Sequence, residues 1–155
     1  MTLIKGVIFD YNRTVFDPVH DSLMPGAKVL LDYLTENDIK LSLLSKSYQP
    51  GREQQIRDLG ISGYFEEIIV TYEDKQPSHF YRLLREMGLQ PGEVCVIGDR
   101  IKSEIVIANQ LGMKTIWLKQ GKFKDELPED RKEVPDITIT SLEEIINAPY
   151  QYLNC

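Results

Sequence analysis

The chain has 155 residues, 42% of them hydrophobic and 27% charged. That is the balance of a single globular domain and excludes disordered and fibrous classes. Lys and Arg number 18 against 24 Asp and Glu, a net charge of −6, so a nucleic-acid or anionic-lipid footprint is absent. Two cysteines, Cys95 and Cys155, are too few and too far apart for a disulfide framework and point to a reducing cytoplasm. Transmembrane length is not reached by any apolar run. The N-terminal residues enter a strand pattern with no leader-like cleavage site.

Residues 3–9 read as a buried strand ending at Asp10. Residues 11–22 are mixed and turn-rich. Pro25-Gly26 opens a helix in which Ala27, Leu30, Leu31 and Leu34 form one apolar face. A second strand covers 39–44 and ends at Ser45. A helix over 50–59 stops at Gly60. Residues 67–70 are a short third strand. Pro77 starts a helix with Phe80, Leu83, Leu84 and Met87 on one face before Gly88. Residues 94–97 are a fourth strand closed by Gly98-Asp99. A helix over 101–111 is capped by Gly112, and 114–118 is a fifth strand. Residues 119–135 form a charged loop with two prolines, mobile or holding one weak turn. A sixth strand over 136–139 and a helix over 141–147, capped by Ser141 with Glu144 three residues on, complete the pattern. His20 and His79 are expected at the surface, and Cys95 and Trp117 inside strands. The alternation predicts an α/β, Rossmann-like three-layer sandwich around a parallel sheet of five or six strands. Residues 1–148 are the expected single domain and 149–155 a tail.

Ligands of such sheets bind beyond the carboxyl ends of the strands. Those ends carry Asp10, Ser45 and Asp99, with Lys75 in the loop after the third strand. Two carboxylates suit a hard divalent cation such as Mg²⁺ that keeps room for a phosphate oxygen. A lysine and a hydroxyl suit the phosphate itself. A carboxylate such as Asp10 is also a competent nucleophile towards phosphorus. Lys46 competes with Lys75 for this role and Ser47 with Ser45. Arg13 is placed to contact phosphate or to form a surface ion pair, while Arg100 and Lys102 read as surface groups. Asn12 also suits a left-handed turn.

These residues carry a family resemblance. Phe9-Asp10-Tyr11-Asn12-Arg13-Thr14-Val15 resembles the first motif of the haloacid dehalogenase (HAD) superfamily, a strand followed by D-x-D-x-[TV]. Leu43-Leu44-Ser45 is similar to its second motif. Asp74-Lys75-Gln76-Pro77 is similar to its third, and Gly98-Asp99 with Glu104 to its fourth. The four stand in order over residues 3–118, and the resemblance identifies a phosphatase-like member of the superfamily. It implies attack on phosphorus by Asp10, Mg²⁺ held by Asp10, the backbone carbonyl of Asn12 and Asp99, phosphoryl binding by Ser45 and Lys75, and Glu104 behind the metal or orienting Lys75.

One residue departs from the pattern. Asn12 stands where phosphatases of the superfamily carry the acid that protonates the leaving group and activates water. An amide does neither. The expectation is a weak Mg²⁺-dependent hydrolase, and the alternative a non-hydrolysing member that binds phosphorylated ligands or a protein. Asp17 and Glu73 are the candidate substitute acids. The gaps of 35 residues between Asp10 and Ser45 and 30 between Ser45 and Lys75 leave no room for an inserted cap domain. An open site suits a bulky or macromolecular phosphoester, or a lid from a second copy in a homo-oligomer.

Overall fold

A computed structural model describes residues 3–153 of the chain. Cys155 lies outside the described residues. The elements in chain order are β1 (Gly6–Asp10), a small hairpin of β2 (Phe16–Asp17) and β3 (Ser22–Leu23), α1 (Ala27–Glu36), β4 (Lys40–Lys46), α2 (Arg52–Asp58), β5 (Phe65–Thr71) and α3 (Pro77–Met87). They continue with β6 (Val94–Gly98), α4 (Val106–Leu111), β7 (Lys114–Leu118), β8 (Ile137–Ile139), α5 (Glu143–Asn147) and α6 (Pro149–Leu153).

Alternation along the strands divides the core in two. Side chains of successive strand residues point to opposite faces. Val7 and Phe9 of β1 therefore pack with Leu41, Leu43, Cys95 and Ile97 on one face, where α1 supplies Leu30, Leu31 and Leu34. Ile8 turns to the other face, against Leu44, Val96 and the Phe80, Leu83 and Met87 stripe of α3. The sheet has six strands in the order β5-β4-β1-β6-β7-β8, and each neighbouring pair is parallel. β1 sits in the middle. The chain leaves it towards β4 and β5, then crosses to β6 on its other side. That reversal opens a crevice at the carboxyl ends of β1, β4 and β6.

The helix starts and stops follow the local chemistry. Pro77 begins α3, and its cap is reciprocal: the Gln76 backbone N–H donates to His79 Nδ1 at 3.0 Å. His79, expected at the surface, is thus half-buried and holds the helix end. Gly88 closes α3 at φ 68°, a conformation that costs glycine little. At the C-terminal end the Ser141 hydroxyl accepts from Glu143 N at 3.2 Å, and Glu144 Oε2 accepts from Ser141 N at 3.2 Å.

Four segments differ from the sequence expectations. The turn-rich stretch holds the β2–β3 hairpin, pinned where Met24 N donates to the Val15 carbonyl at 2.7 Å. The helix expected over 101–111 is broken: residues Ile101–Ile105 form a wide, kinked turn with Ser103 at φ −119° and ψ −105°, and regular helix begins only at α4. The break turns Glu104 into the interior. The charged loop is tied down, not loose. Glu126 accepts from Ile101 N at 3.0 Å, Lys102 bridges Glu129 and Glu133 at 3.0 Å each, and Asn109 Nδ2 donates to the carbonyls of Lys132 and Val134 at 2.8 Å. Residues 149–153, expected as a tail, form α6. Leu153 is 4% exposed and its carbonyl accepts from Ile4 N. No helix of the described residues is long and apolar enough to cross a membrane.

The docking of α6 has a measurable consequence. Leu153→Ala is expected to cost about 2–3 kcal/mol in urea unfolding, the cost of emptying a buried leucine site. A loss below about 0.5 kcal/mol would mean that α6 is not packed as described.

Candidate active site

Four backbone features bring the polar residues to one place. β1 ends at Asp10, where the chain turns sharply. Tyr11 O accepts from the amides of Val15 and Phe16, both at 2.9 Å, and Arg13 takes the left-handed conformation at φ 62°. The left-handed residue is Arg13, not Asn12. β6 ends at Gly98-Asp99, where the Trp117 indole donates to the Asp99 carbonyl at 2.9 Å. The kinked turn after it returns Glu104 beneath the strand end. Lys75 enters from the loop before α3.

Lys75 is the centre of this cluster. Its Nζ lies 2.5 Å from Asp10 Oδ1 and 3.2 Å from Glu104 Oε2. All three side chains are buried, Lys75 being 8% exposed and Glu104 2%. Gly98 leaves the room that Glu104 occupies: a Cβ there would stand 2.1 Å from Glu104 Oε1. The same carboxylate oxygen accepts from Arg100 N at 3.3 Å. Thr14 Oγ1 donates to Asp10 Oδ2 at 3.3 Å. Asp99 is 1% exposed, and its Oδ2 accepts from Arg13 Nε at 2.7 Å.

The charges settle unequally. Burial works against ionising Asp10, but the Lys75 ammonium and the hydrogen bonds outweigh it and hold the carboxyl below the usual range. Burial pushes Asp99 up to about 8, with the negative charge of Asp10 adding to it and Arg13 opposing. Burial and then Asp10 raise Glu104 as well, against Lys75. Burial would lower Lys75, yet the charges of Asp10 and Glu104 raise it, so it is a permanent cation. Asp10, Asp99 and Glu104 each place a carboxylate oxygen within 4.8 Å of the others. Carboxyls crowded until one holds its proton are a donor set suited to a small hard cation, which takes the place of that proton. Both oxygens of Glu104 and both of Asp10 have protein partners, while Asp99 is held on Oδ2 by Arg13.

The cluster floors a cleft of about 490 Å³. Asn12 lines it, as do Lys46, Ser47 and Arg52 from the β4 side. Asp10, Asp99 and Glu104 are the only carboxylates among its described lining residues. Asp17 turns away to accept from His20 Nδ1 at 2.7 Å. Neither Asp17 nor Glu73 is among the described residues that line the cleft. Lys46 pairs with Asp74 and lies 4.7 Å from the Tyr48 ring centroid, leaving contact with Asp10 to Lys75. Ser45 is 1% exposed and its hydroxyl accepts from Arg52 Nη1 at 2.5 Å. Ser47, which lines the cleft, spends its hydroxyl on a turn with Gln49. Across the cleft, the Phe123 ring lies 5.0 Å from the Arg13 guanidinium and 4.5 Å from that of Arg100. Arg100, expected as a surface group, also pairs with Glu126 at 3.6 Å. Arg52 carries no sequence signal, and Phe123 stands out in sequence only as an apolar residue in a charged loop. Arg52 stands seven residues beyond Ser45, and Phe123 sits in a loop without periodicity.

Comparison with known proteins assigns the family. The model of the haloacid dehalogenase-like hydrolase family matches residues 2–118, and the chain belongs to that family. It is 27% identical over 149 residues to a glyceraldehyde 3-phosphate phosphatase of Methanopyrus kandleri, covering 94% of this chain and 63% of the relative. It is 26% identical over 141 residues to the human N-acylneuraminate-9-phosphatase, covering 88% of this chain and 55% of the relative. The chain thus spans little more than half the length of these curated relatives. Among solved structures, the HAD-hydrolase YfnB of Bacillus subtilis, bound to magnesium, superposes with a TM-score of 0.81 at 14% identity, covering 99% of this chain and 100% of that one. CbbY of Rhodobacter sphaeroides, in complex with phosphate, superposes at 0.75 and 15% identity, covering 92% and 96%. At such identities the likeness is one of fold.

Lys75→Met is expected to strand two buried carboxylates. The loss should be about 3–5 kcal/mol in urea unfolding. A variant as stable as the parent would refute the buried ion-pair geometry.

Proposed function

We propose that this chain is a phosphoester hydrolase unit that works through an aspartyl-phosphate on Asp10. The observation that carries the reading is the Asp10–Lys75–Glu104 cluster with Asp99 beside it, at a strand-end cleft in a chain of this family. Relatives named for small phosphorylated compounds support a phosphorylated small molecule as substrate.

Asp10 is ionised and is the nucleophile. Its carboxylate oxygen forms a bond to phosphorus as the bond from phosphorus to the leaving oxygen breaks. Lys75 holds Asp10 in place and sets its positive charge beside the transferring group, with Glu104 keeping the ammonium where it is. Ser45 is the hydroxyl expected at the phosphoryl group, and Arg52 is hydrogen-bonded to it. Mg²⁺ is the cation that fits: Asp10, Asp99 and the carbonyl of Asn12 would hold it, and it would neutralise charge on phosphoryl oxygens. Asn12 gives no proton to the leaving oxygen, so that proton comes from solvent. In the second half, water attacks the phosphorus of the aspartyl-phosphate, the bond to Asp10 breaks and phosphate leaves. Asn12 takes no proton from that water either, and none of the other described cleft residues is a spare carboxylate. General acid–base help is worth about 10²–10⁴-fold. Turnover is therefore slow, least so for aryl phosphates, whose leaving groups need no acid. Asn12 also carries the second reading, a member that binds phosphorylated ligands without hydrolysing them.

A time course with an aryl phosphate and Mg²⁺, with Asp10→Ala as blank, separates the two. Sustained release above the blank is expected; a flat trace with no stoichiometric burst supports the binding reading. Asn12→Asp should accelerate hydrolysis of an alkyl phosphate on the order of 10²-fold or more, and an unchanged rate would refute the role given to Asn12. Saturating Mg²⁺ should stabilise the fold by about 2.7 kcal/mol at one hundred times its Kd, read as a rise in Tm that Asp99→Asn removes. A Tm indifferent to Mg²⁺ would rule out the metal site.

A further inference from the structure

The protein is acidic, yet its cleft is not. Arg13, Lys46, Arg52, Lys75, Arg100 and Lys122 line it against three carboxylates. Most of these cations are already matched. Lys75 pairs with Asp10 and Glu104, Arg13 with Asp99, Arg100 with Glu126 and Lys46 with Asp74. Lys122 is exposed to solvent and needs no partner.

Arg52 is different. It is half-buried, and the groups it touches are neutral, while the charges of Asp10 and of the adjacent Glu53 act on it from further off. Nη1 donates to the Ser45 hydroxyl at 2.5 Å, and the guanidinium lies 4.6 Å from the Tyr11 ring centroid. Tyr11 offers a face and no charge: burial pushes its phenol up to about 12, and its hydroxyl donates to Gln55 at 2.8 Å. An arginine stays charged at any physiological pH, and its planar fork has five donors. Here one donor is spent on Ser45 and the ring fixes the plane, so the remaining donors are held ready at the cleft wall. A partly desolvated positive charge with no described anion in contact is costly unless a ligand completes it. Tyr48 and Gln49 line the same cleft.

We propose that Arg52 is a specificity-determining residue that binds a second anionic group of the substrate, so that the cleft takes phosphoesters whose leaving group carries a carboxylate or a further phosphate. The proposal rests on the reading of the cleft as a phosphoryl site. The transferring group has its own cation in Lys75, which touches the nucleophile. Arg52 is therefore the charge in excess, and a fork–carboxylate or fork–phosphate pair is the geometry it is built for.

Binding tests this without turnover. Calorimetry in saturating Mg²⁺ compares benzylphosphonate with 4-carboxybenzylphosphonate, with 1,4-xylylenediphosphonate and with the uncharged 4-hydroxymethyl analogue. The two anionic analogues should bind about tenfold tighter or better than the other two, and the tighter of them tells carboxylate from phosphate. Arg52→Gln should bring all four within about twofold, and Arg52→Lys should shrink the preference several-fold. Equal affinities in the parent protein overturn the proposal even if the Gln variant does not fold. So does a Gln variant that weakens every analogue alike, because Arg52 then serves the transferring group through Ser45. Analogue preference without any hydrolysis of aryl phosphates would leave this inference standing and sink the hydrolase reading. Failure of every phosphonate to bind would sink both.

Discussion

The buried contact of Lys75 with Asp10 and Glu104 is what the site depends on. Desolvating an ion costs several kcal/mol, and the attraction of its partners offsets that only when the geometry is close. Here three chain segments must meet to supply it: the end of β1, the loop before α3 and the kinked turn after β6. Gly98 is part of the same requirement, since a side chain there would occupy the space of the Glu104 carboxylate. The break in the helix after Asp99 follows too. A regular helix from 101 would not turn Glu104 inward in this way, so local helix propensity yields to the buried charge.

Around that contact the cleft is built from charge that is mostly already paired. Arg13 stands on Asp99, held there by a left-handed backbone and by the Gln120 side chain, which donates to its carbonyl. Phe123 lies against both Arg13 and Arg100, and acidic residues of the same loop grip the turn at 100–102. The loop expected to be mobile or to hold one weak turn is thereby a wall of the cleft. Lys122 and Phe123 of this loop line the cleft together with Lys46, Ser47 and Arg52.

Asn12 lines the cleft beside Asp10 and Asp99 and carries an amide, which neither gives nor takes a proton. Asp17 and Glu73 are not among the described residues that line the cleft, and Asp17 pairs with His20. On the proposed reading, cation and phosphoryl binding would draw on groups other than that amide, and proton transfer would lack a partner at residue 12.

The alternation of apolar runs with helix-period stretches determined a parallel sheet of five or six strands and placed Asp10, Ser45 and Asp99 at or near strand ends; the fold has six strands, and β4 runs one residue past Ser45. Burial of both sheet faces forces continuous apolar strands, and that pattern is local. The sequence left Lys46 and Lys75 in competition; in the fold Lys75 contacts Asp10 while Lys46 pairs with Asp74. Tertiary structure alone decided the rest. Arg52 meets Ser45 because a turn folds back over a strand end; Phe123 meets Arg13 because residues 110 positions apart in sequence share one cleft; Leu153 is buried because α6 finds Ile4. None of these contacts has a period or a neighbour in sequence to announce it. They arise from the closing of the sheet, which brings distant side chains within a few ångströms, where charge and burial act.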